Sequence, residues 1–216
     1  MSVSQVDFAE PFFSIDYVEN EAEYRVTKKS MVINLAEKEQ RNIVLSGERV
    51  ILPLKAAVVQ DMVVTDLVRA FIVKDFERCD LDDAKTVEAI KKSWKLLYDC
   101  SGIERHKGLP YYKSPKYYIG EGSGHLELNF CYVDKGGIPS GPHRDHDRDF
   151  DEVHAQIRGY GMMRVYERDD NVHIHQELNM APGTVHDKMY DSKGQYPWHE
   201  YKSVTPGVYC PIEIDR

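Results

Sequence analysis

The chain has 216 residues, of which 42% are hydrophobic and 30% are charged, and it carries a formal net charge of -8 at pH 7. This length predicts one sizeable core with room for an appended subdomain, and the composition is that of an ordinary soluble protein. The acidic balance argues against nucleic-acid binding, which needs clustered Lys and Arg. No apolar run is long enough to span a membrane.

The cysteine spacing and the N-terminal residues indicate in which cellular compartment the protein is expected. Cys79, Cys100, Cys131 and Cys210 are widely spaced and form no Cys-x-x-Cys pair, which predicts reduced thiols and neither a disulfide framework nor a zinc knuckle. The first residues lack the basic start and the apolar stretch of a signal peptide. We therefore expect a cytoplasmic protein.

The first 105 residues predict strands and one helix. Residues 26–34 and 42–54 carry β-branched runs, the second broken by a Ser-Gly pair that suggests a hairpin. Residues 58–77 fit a helical stripe and a buried strand equally well. A clear helix is predicted over about 83–100, since Asp82 or Asp83 can cap it and Gly102 lies just past its end.

The second half of the chain predicts β-structure. Residues 106–124, rich in Tyr, Lys, Gly and Pro, are interpreted as a connecting loop near a pocket mouth. From residue 125 onward, short alternating runs separated by turn residues favour an antiparallel sandwich or barrel. The predicted organisation is mainly β, with residues 1–105 as an N-terminal extension packed on a barrel formed by residues 106–216.

Histidines are concentrated in this second half, where all nine lie at or after His106. His143 and His146 form the densest pair, and Glu152 follows. Imidazole nitrogen and carboxylate oxygen are the natural ligands of divalent transition metals. The pattern therefore predicts a metal site.

Glu152, His154 and Gln156 alternate along a predicted strand and therefore share one face. Burying this polar set is costly unless partners or a metal satisfy it. His154 is the candidate general acid or base, because imidazole titrates near neutral pH; a hydrogen-bonding role behind a metal ligand is the alternative. Gln156 is the candidate for orienting a substrate.

The stretch from His143 to Gly159 resembles the first motif of the cupin superfamily. That motif has two nearby histidines, then a glutamate, and a glycine seven residues after the glutamate, as Glu152 and Gly159 have here. One departure is that two residues separate His143 from His146, where the motif has one. A bulge at Asp145 would restore a shared face.

The second cupin motif supplies one further histidine after a Pro/Gly turn, and two candidates compete for it. His186 follows Gly183 at the spacing that the motif asks for and is slightly favoured. His199 is the alternative, and it needs a longer intervening turn.

The resemblance implies a cupin-like antiparallel β-barrel, or jelly roll, that holds a divalent metal by His143, His146, Glu152 and His186, with His199 as substitute. Fe²⁺ is favoured, and Mn²⁺, Ni²⁺, Co²⁺ and Zn²⁺ also suit such ligands. The leading hypothesis is an iron dioxygenase acting on a small oxygen-bearing organic substrate. A redox-neutral isomerase or lyase and a non-catalytic ligand-binding cupin are the alternatives. The resemblance also implies a homodimer.

Overall fold

β-Strands form most of the regular structure in the computed structural model, which describes residues 2–47, 49–122, 124–144, 146, 148–191 and 193–216. The chain divides into two units, Met1–Asp80 with Gly183–Val185 and Leu81–Pro182 with His186–Arg216. This boundary precedes the one expected near residue 105. Among the described residues, no helix is both long and apolar enough to cross a membrane.

The first unit is built on one seven-stranded antiparallel sheet with the order β1-β2-β7-β3-β6, in which β4 joins β5 to β7. The short β4–β5 pair is the hairpin that the Ser-Gly turn predicted. The strands are β1 Ser2–Val6, β2 Ser14–Val26, β3 Ser30–Asn34, β4 Ile43–Val44, β5 Val50–Ile51, β6 Ala56–Val59 and β7 Met62–Lys74.

Strand β7 resolves the ambiguity of residues 58–77 in favour of a strand. Asp66 has a left-handed backbone, with φ 60°, and it interrupts the alternation of side chains. Val64 and Leu67 consequently both enter the apolar core of this unit, although they lie three residues apart. The apparent helical stripe is therefore a strand whose alternation is interrupted at a left-handed residue.

The predicted helix is shorter than expected and belongs to the second unit. Helix α1, Ala84–Ser93, begins after Asp83, whose side chain accepts hydrogen bonds from the backbone N–H groups of Lys85 and Thr86. Trp94 is extended, and two residues of strand, β8 Lys95–Leu96, pair with a later strand before helix α2, Leu97–Ser101. No α-helix occurs in the described part of residues 2–80, where a single 3-10 turn, Phe76–Arg78, follows the last strand.

The second unit contains two antiparallel sheets. The larger has the order β10-β11-β17-β12-β9-β8, with β13 paired along the opposite edge of β17, and the smaller has the order β15-β14-β16. The strands are β9 Tyr111–Lys113, β10 Tyr117–Ile119, β11 Leu126–Leu128, β12 Cys131–Val133, β13 Phe150–Arg158, β14 Gly161–Tyr166, β15 Ile174–Met180, β16 Trp198–Ser203 and β17 Gly207–Asp215. Strands β9 and β10 lie in the segment that was predicted to be a loop.

An apolar core joins the two sheets of the second unit. Cys131 and Val133 of the larger sheet share one buried cluster with Met163 of the smaller sheet. Tyr201 of β16 stacks on Tyr209 of β17, with ring centroids 3.9 Å apart. The predicted single closed barrel is wrong for the described strands, because β14, β15 and β16 pair only with one another as strands and face the larger sheet instead of continuing it.

Candidate metal centre

A reciprocal backbone bridge brings His143 and His199 together. The N–H of His143 donates to the carbonyl of His199 at 3.0 Å, and the N–H of His199 donates to the carbonyl of His143 at 2.9 Å. Their ring centroids are 4.5 Å apart. The turn-rich segment before β13 is thereby fixed beside β16.

The imidazoles of His143 and His199 each place Nδ1 next to a backbone carbonyl oxygen. His143 Nδ1 lies 3.0 Å from the carbonyl oxygen of Gly141, and His199 Nδ1 lies 3.2 Å from that of Pro197. A carbonyl only accepts, so each Nδ1 carries the hydrogen and each Nε2 keeps its lone pair. Such outer hydrogen bonds fix the tautomer and orientation of metal-ligating histidines.

His146 completes a group of three imidazoles. One ring nitrogen each of His143, His146 and His199 lies within 4.8 Å of the others. His199 Nε2 is buried and has no hydrogen-bond partner among the described residues, although a carboxylate oxygen of Glu152 is 3.4 Å away. A buried nitrogen without a partner is costly, and a cation at the centre of this group would satisfy it. The expected bulge at Asp145 lies outside the described residues.

Glu152 supplies a buried carboxylate next to these histidines. It lies on β13 opposite Glu213 of β17, with Oε1 3.2 Å from His154 Nε2 and Oε2 3.4 Å from His199 Nε2. Burial opposes its ionisation, yet the neighbouring imidazoles, His154 first and then His199, outweigh burial and hold the pKa of Glu152 well below its usual range. An ionised carboxylate among imidazoles fits a divalent cation.

Burial also sets the charge of His143. Burial, followed by the neighbouring His199, lowers the pKa of His143 well below its usual value. The imidazole is therefore neutral at pH 7, the form in which histidine binds a metal.

The structure places His186, the slightly favoured last ligand, away from the three imidazoles. Its Nδ1 lies 2.6 Å from the carbonyl oxygen of Asp187, and its Nε2 accepts the backbone N–H of His154 at 2.9 Å. Burial lowers the pKa of His186 to about 3. Both ring nitrogens are therefore engaged with the protein, whereas the alternative candidate, His199, lies in the group with His143 and His146.

His154 lies between Glu152 and His186. Its Nε2 faces the Glu152 carboxylate, and its Nδ1 is 3.1 Å from His186 Nε2 and 3.3 Å from the sulfur of Met163. These contacts favour the second of the two roles weighed for this residue, a hydrogen-bond partner that orients the carboxylate.

Gln156, the predicted substrate-orienting residue, is fully buried among protein partners. Its Oε1 accepts the hydroxyl of Tyr201 at 2.8 Å, and its Nε2 donates to the carbonyl of Arg158 at 2.8 Å. Both ends of the amide are thus occupied, and the hydrogen bond from Tyr201 links β13 to β16.

A small cavity of about 80 Å³ adjoins the histidines and Glu152. His146 also lines an open depression of about 380 Å³ on the outer side, so this half-buried imidazole separates the cavity from the surface. Space of this size accommodates only a ligand of a few heavy atoms.

Sequence reasoning missed two residues that line this cavity, His106 and Lys113. His106 lies in the turn after α2, where its Nδ1 is 2.8 Å from Ser101 Oγ and its buried Nε2 has no partner. Its ring contacts that of His143, with centroids 5.0 Å apart. The clustering of every histidine from residue 106 onward was a signal for His106, but no pattern pointed to Lys113.

A scan against protein-family models found no match, and a search of curated proteins found none. Several solved structures do match. CapF, in complex with an inhibitor, is 14% identical to this chain. The match covers 50% of this chain and 28% of CapF, with a TM-score of 0.36. An RmlC-like cupin from Desulfovibrio desulfuricans is 14% identical over 46% of this chain and 80% of its own (TM-score 0.32). Salicylate 1,2-dioxygenase from Pseudoaminobacter salicylatoxidans is 11% identical, over 94% of this chain and 68% of the dioxygenase (TM-score 0.38). One of these structures is described as a cupin, and at such TM-scores none of them bears on the activity of this chain.

Proposed function

We propose that this chain, which resembles cupins, is a metal-dependent enzyme whose divalent cation is held by His143, His146, Glu152 and His199. The observation that carries the proposal is the matched hydrogen bonding of His143 and His199. It leaves both Nε2 lone pairs free, and the Nε2 of His199 is buried without a hydrogen-bond partner. Neutral imidazoles and an ionised carboxylate are a donor set for Fe²⁺, Mn²⁺, Co²⁺, Ni²⁺ or Zn²⁺.

The reaction that we favour is dioxygenation of a small oxygen-bearing organic substrate at Fe²⁺. When bound, such a metal polarises a substrate oxygen and, if it is iron, brings dioxygen to the same site. The protein's part is to position the groups around it. His154 orients Glu152, the carbonyls of Gly141 and Pro197 orient the imidazoles, and the narrow cavity limits access of water.

A redox-neutral isomerase or lyase is the second candidate, and His106 favours it. Its imidazole Nε2 is buried at the cavity without a partner in the part of the chain that the structure describes, so it can exchange a proton with a bound substrate. In that reaction the metal acts only as a Lewis acid.

Metal analysis followed by oxygen measurement tests the proposal. Protein purified without chelator is expected to contain about one metal per chain, and less than about 0.2 per chain with no gain on reconstitution would favour a non-catalytic binding protein. Fe²⁺-loaded protein is then assayed with a panel of small acids and alcohols in an oxygen electrode. Turnover that consumes dioxygen supports the dioxygenase, whereas equal turnover under strict anaerobiosis refutes it in favour of the isomerase or lyase.

A further inference from the structure

The cavity beside the histidines contains one cationic side chain with no counter-ion. Lys113 of β9 lines the cavity and forms neither an ion pair nor a hydrogen bond with its side chain among the described residues. The two carboxylates of the cavity are already engaged. Glu152 faces His154 and His199, and Glu213 pairs with Lys116 and Arg148 at 3.1 and 2.5 Å.

The arginines near the outer depression differ from Lys113 in this respect, because each has a partner within the protein. Arg148 pairs with Glu213 and Asp215, Arg216 pairs with Asp149 and Asp151, and Arg144 lies over the ring of Trp198. The ammonium of Lys113 is thus the positive charge left for a ligand of the inner cavity.

His106 adds a hydrogen-bond donor to the same wall. Ser101 Oγ accepts the backbone N–H of Ile103 at 3.3 Å and lies 2.8 Å from His106 Nδ1. When the hydroxyl donates to Nδ1, the hydrogen of the neutral imidazole sits on Nε2, which faces the cavity without a partner. Lys113 and His106 both line this cavity.

We infer that the substrate carries a carboxylate, which the ammonium of Lys113 and the Nε2–H of His106 bind while the metal holds another oxygen of the same molecule. This inference rests on the proposed function for the metal end of the substrate. The ammonium of Lys113 and the Nε2–H of His106 are hydrogen-bond donors that suit the anionic oxygens of a carboxylate. A cavity of about 80 Å³ limits the substrate to a short carboxylic acid.

Calorimetric titration with glycolate and its uncharged analogue glycolamide tests the charge requirement. The protein is loaded with Mn²⁺, and metal content and circular dichroism are measured for each variant. Lys113→Gln is expected to weaken glycolate binding about tenfold or more, since a charge-assisted hydrogen bond is lost, while glycolamide binding changes less than about twofold. Lys113→Arg keeps the charge and retains part of the glycolate affinity.

Lys202→Gln is the matched control, because Lys202 lies on β16 and does not line the cavity. It is expected to leave both affinities unchanged. Folded, metal-loaded Lys113→Gln that binds glycolate like the unaltered protein would overturn the carboxylate inference and leave the metal proposal standing. Lys113-dependent glycolate binding by protein that takes up no metal would refute the proposed function and retain the anion site.

Discussion

Replacing His199 and His186 in turn tests which of the two histidines binds the metal. We propose that His199 is a ligand and that His186 lies behind His154. With three imidazoles and one carboxylate as ligands, an apparent metal-binding free energy of about 10–16 kcal/mol corresponds to about 3 kcal/mol for each ligand. His199→Ala should therefore weaken metal binding by about a hundredfold or more. The backbone bridge between residues 143 and 199 uses no side chain, so the variant is expected to fold.

His186→Ala should have the opposite profile. It removes the acceptor of the His154 backbone N–H, and an unsatisfied buried donor costs about 1–3 kcal/mol of folding free energy. Because His186 reaches the carboxylate only through His154, metal affinity should change by less than about tenfold, the lower end of what outer hydrogen-bond partners contribute.

Competition with a fluorescent chelator measures the metal affinity, and urea unfolding of the metal-free protein measures the stability. The expected result is a large affinity loss with little destabilisation for His199→Ala, and the reverse for His186→Ala. If folded His186→Ala lost as much metal affinity as His199→Ala, the assignment of ring nitrogens would be wrong.

Three further outcomes are expected. Glu152→Ala should lose the metal, measured by elemental analysis, whereas His173→Ala, on an exposed hairpin, should retain it; equal metal content in both would contradict the ligand set. The pKa of His106 is about 4 in the folded protein and about 6.5 in the unfolded chain, so burial of its neutral imidazole favours folding fully above about pH 6.5. The metal-free protein should therefore lose folding free energy as the pH falls from 6.5 towards 4; urea midpoints that do not change across this window would refute this. Gly161→Ala should destabilise the protein by about 1–3 kcal/mol, because a Cβ there would lie 2.0 Å from the hydroxyl of Tyr201; an unchanged urea midpoint would show that the ring moves freely.

The sequence predicted the elements that carry the candidate ligands better than the contacts between them. Strand β13 was predicted close to its observed bounds, because its alternation of polar and apolar residues is regular, and Glu152 follows from the motif. The sequence left the choice between His186 and His199 open, because spacing favours the first, and the backbone bridge that brings His199 beside His143 leaves no local pattern.

Residues outside the motif were harder to predict for a physical reason. Lys113 and His106 reach the cavity because β9 pairs with β12 and α2 precedes a tight turn, and such long-range pairing leaves no local pattern. The left-handed residue Asp66 likewise imitated a helical period, because it interrupts the alternation of the strand without leaving a sign in its composition. Whether the strands close into a barrel likewise depends on which strands pair along their edges, and the alternation of polar and apolar residues does not specify that pairing.

Strand β17 carries no candidate ligand, but it determines when the centre can exist. It pairs with β11 and β12 along one edge and with β13, the strand of Glu152, along the other. A ribosome releases every candidate ligand, from His143 to His199, before it releases β17. Strand β13 therefore lacks this pairing partner until residues 207–215 have emerged, and the proposed metal site can form only after that point.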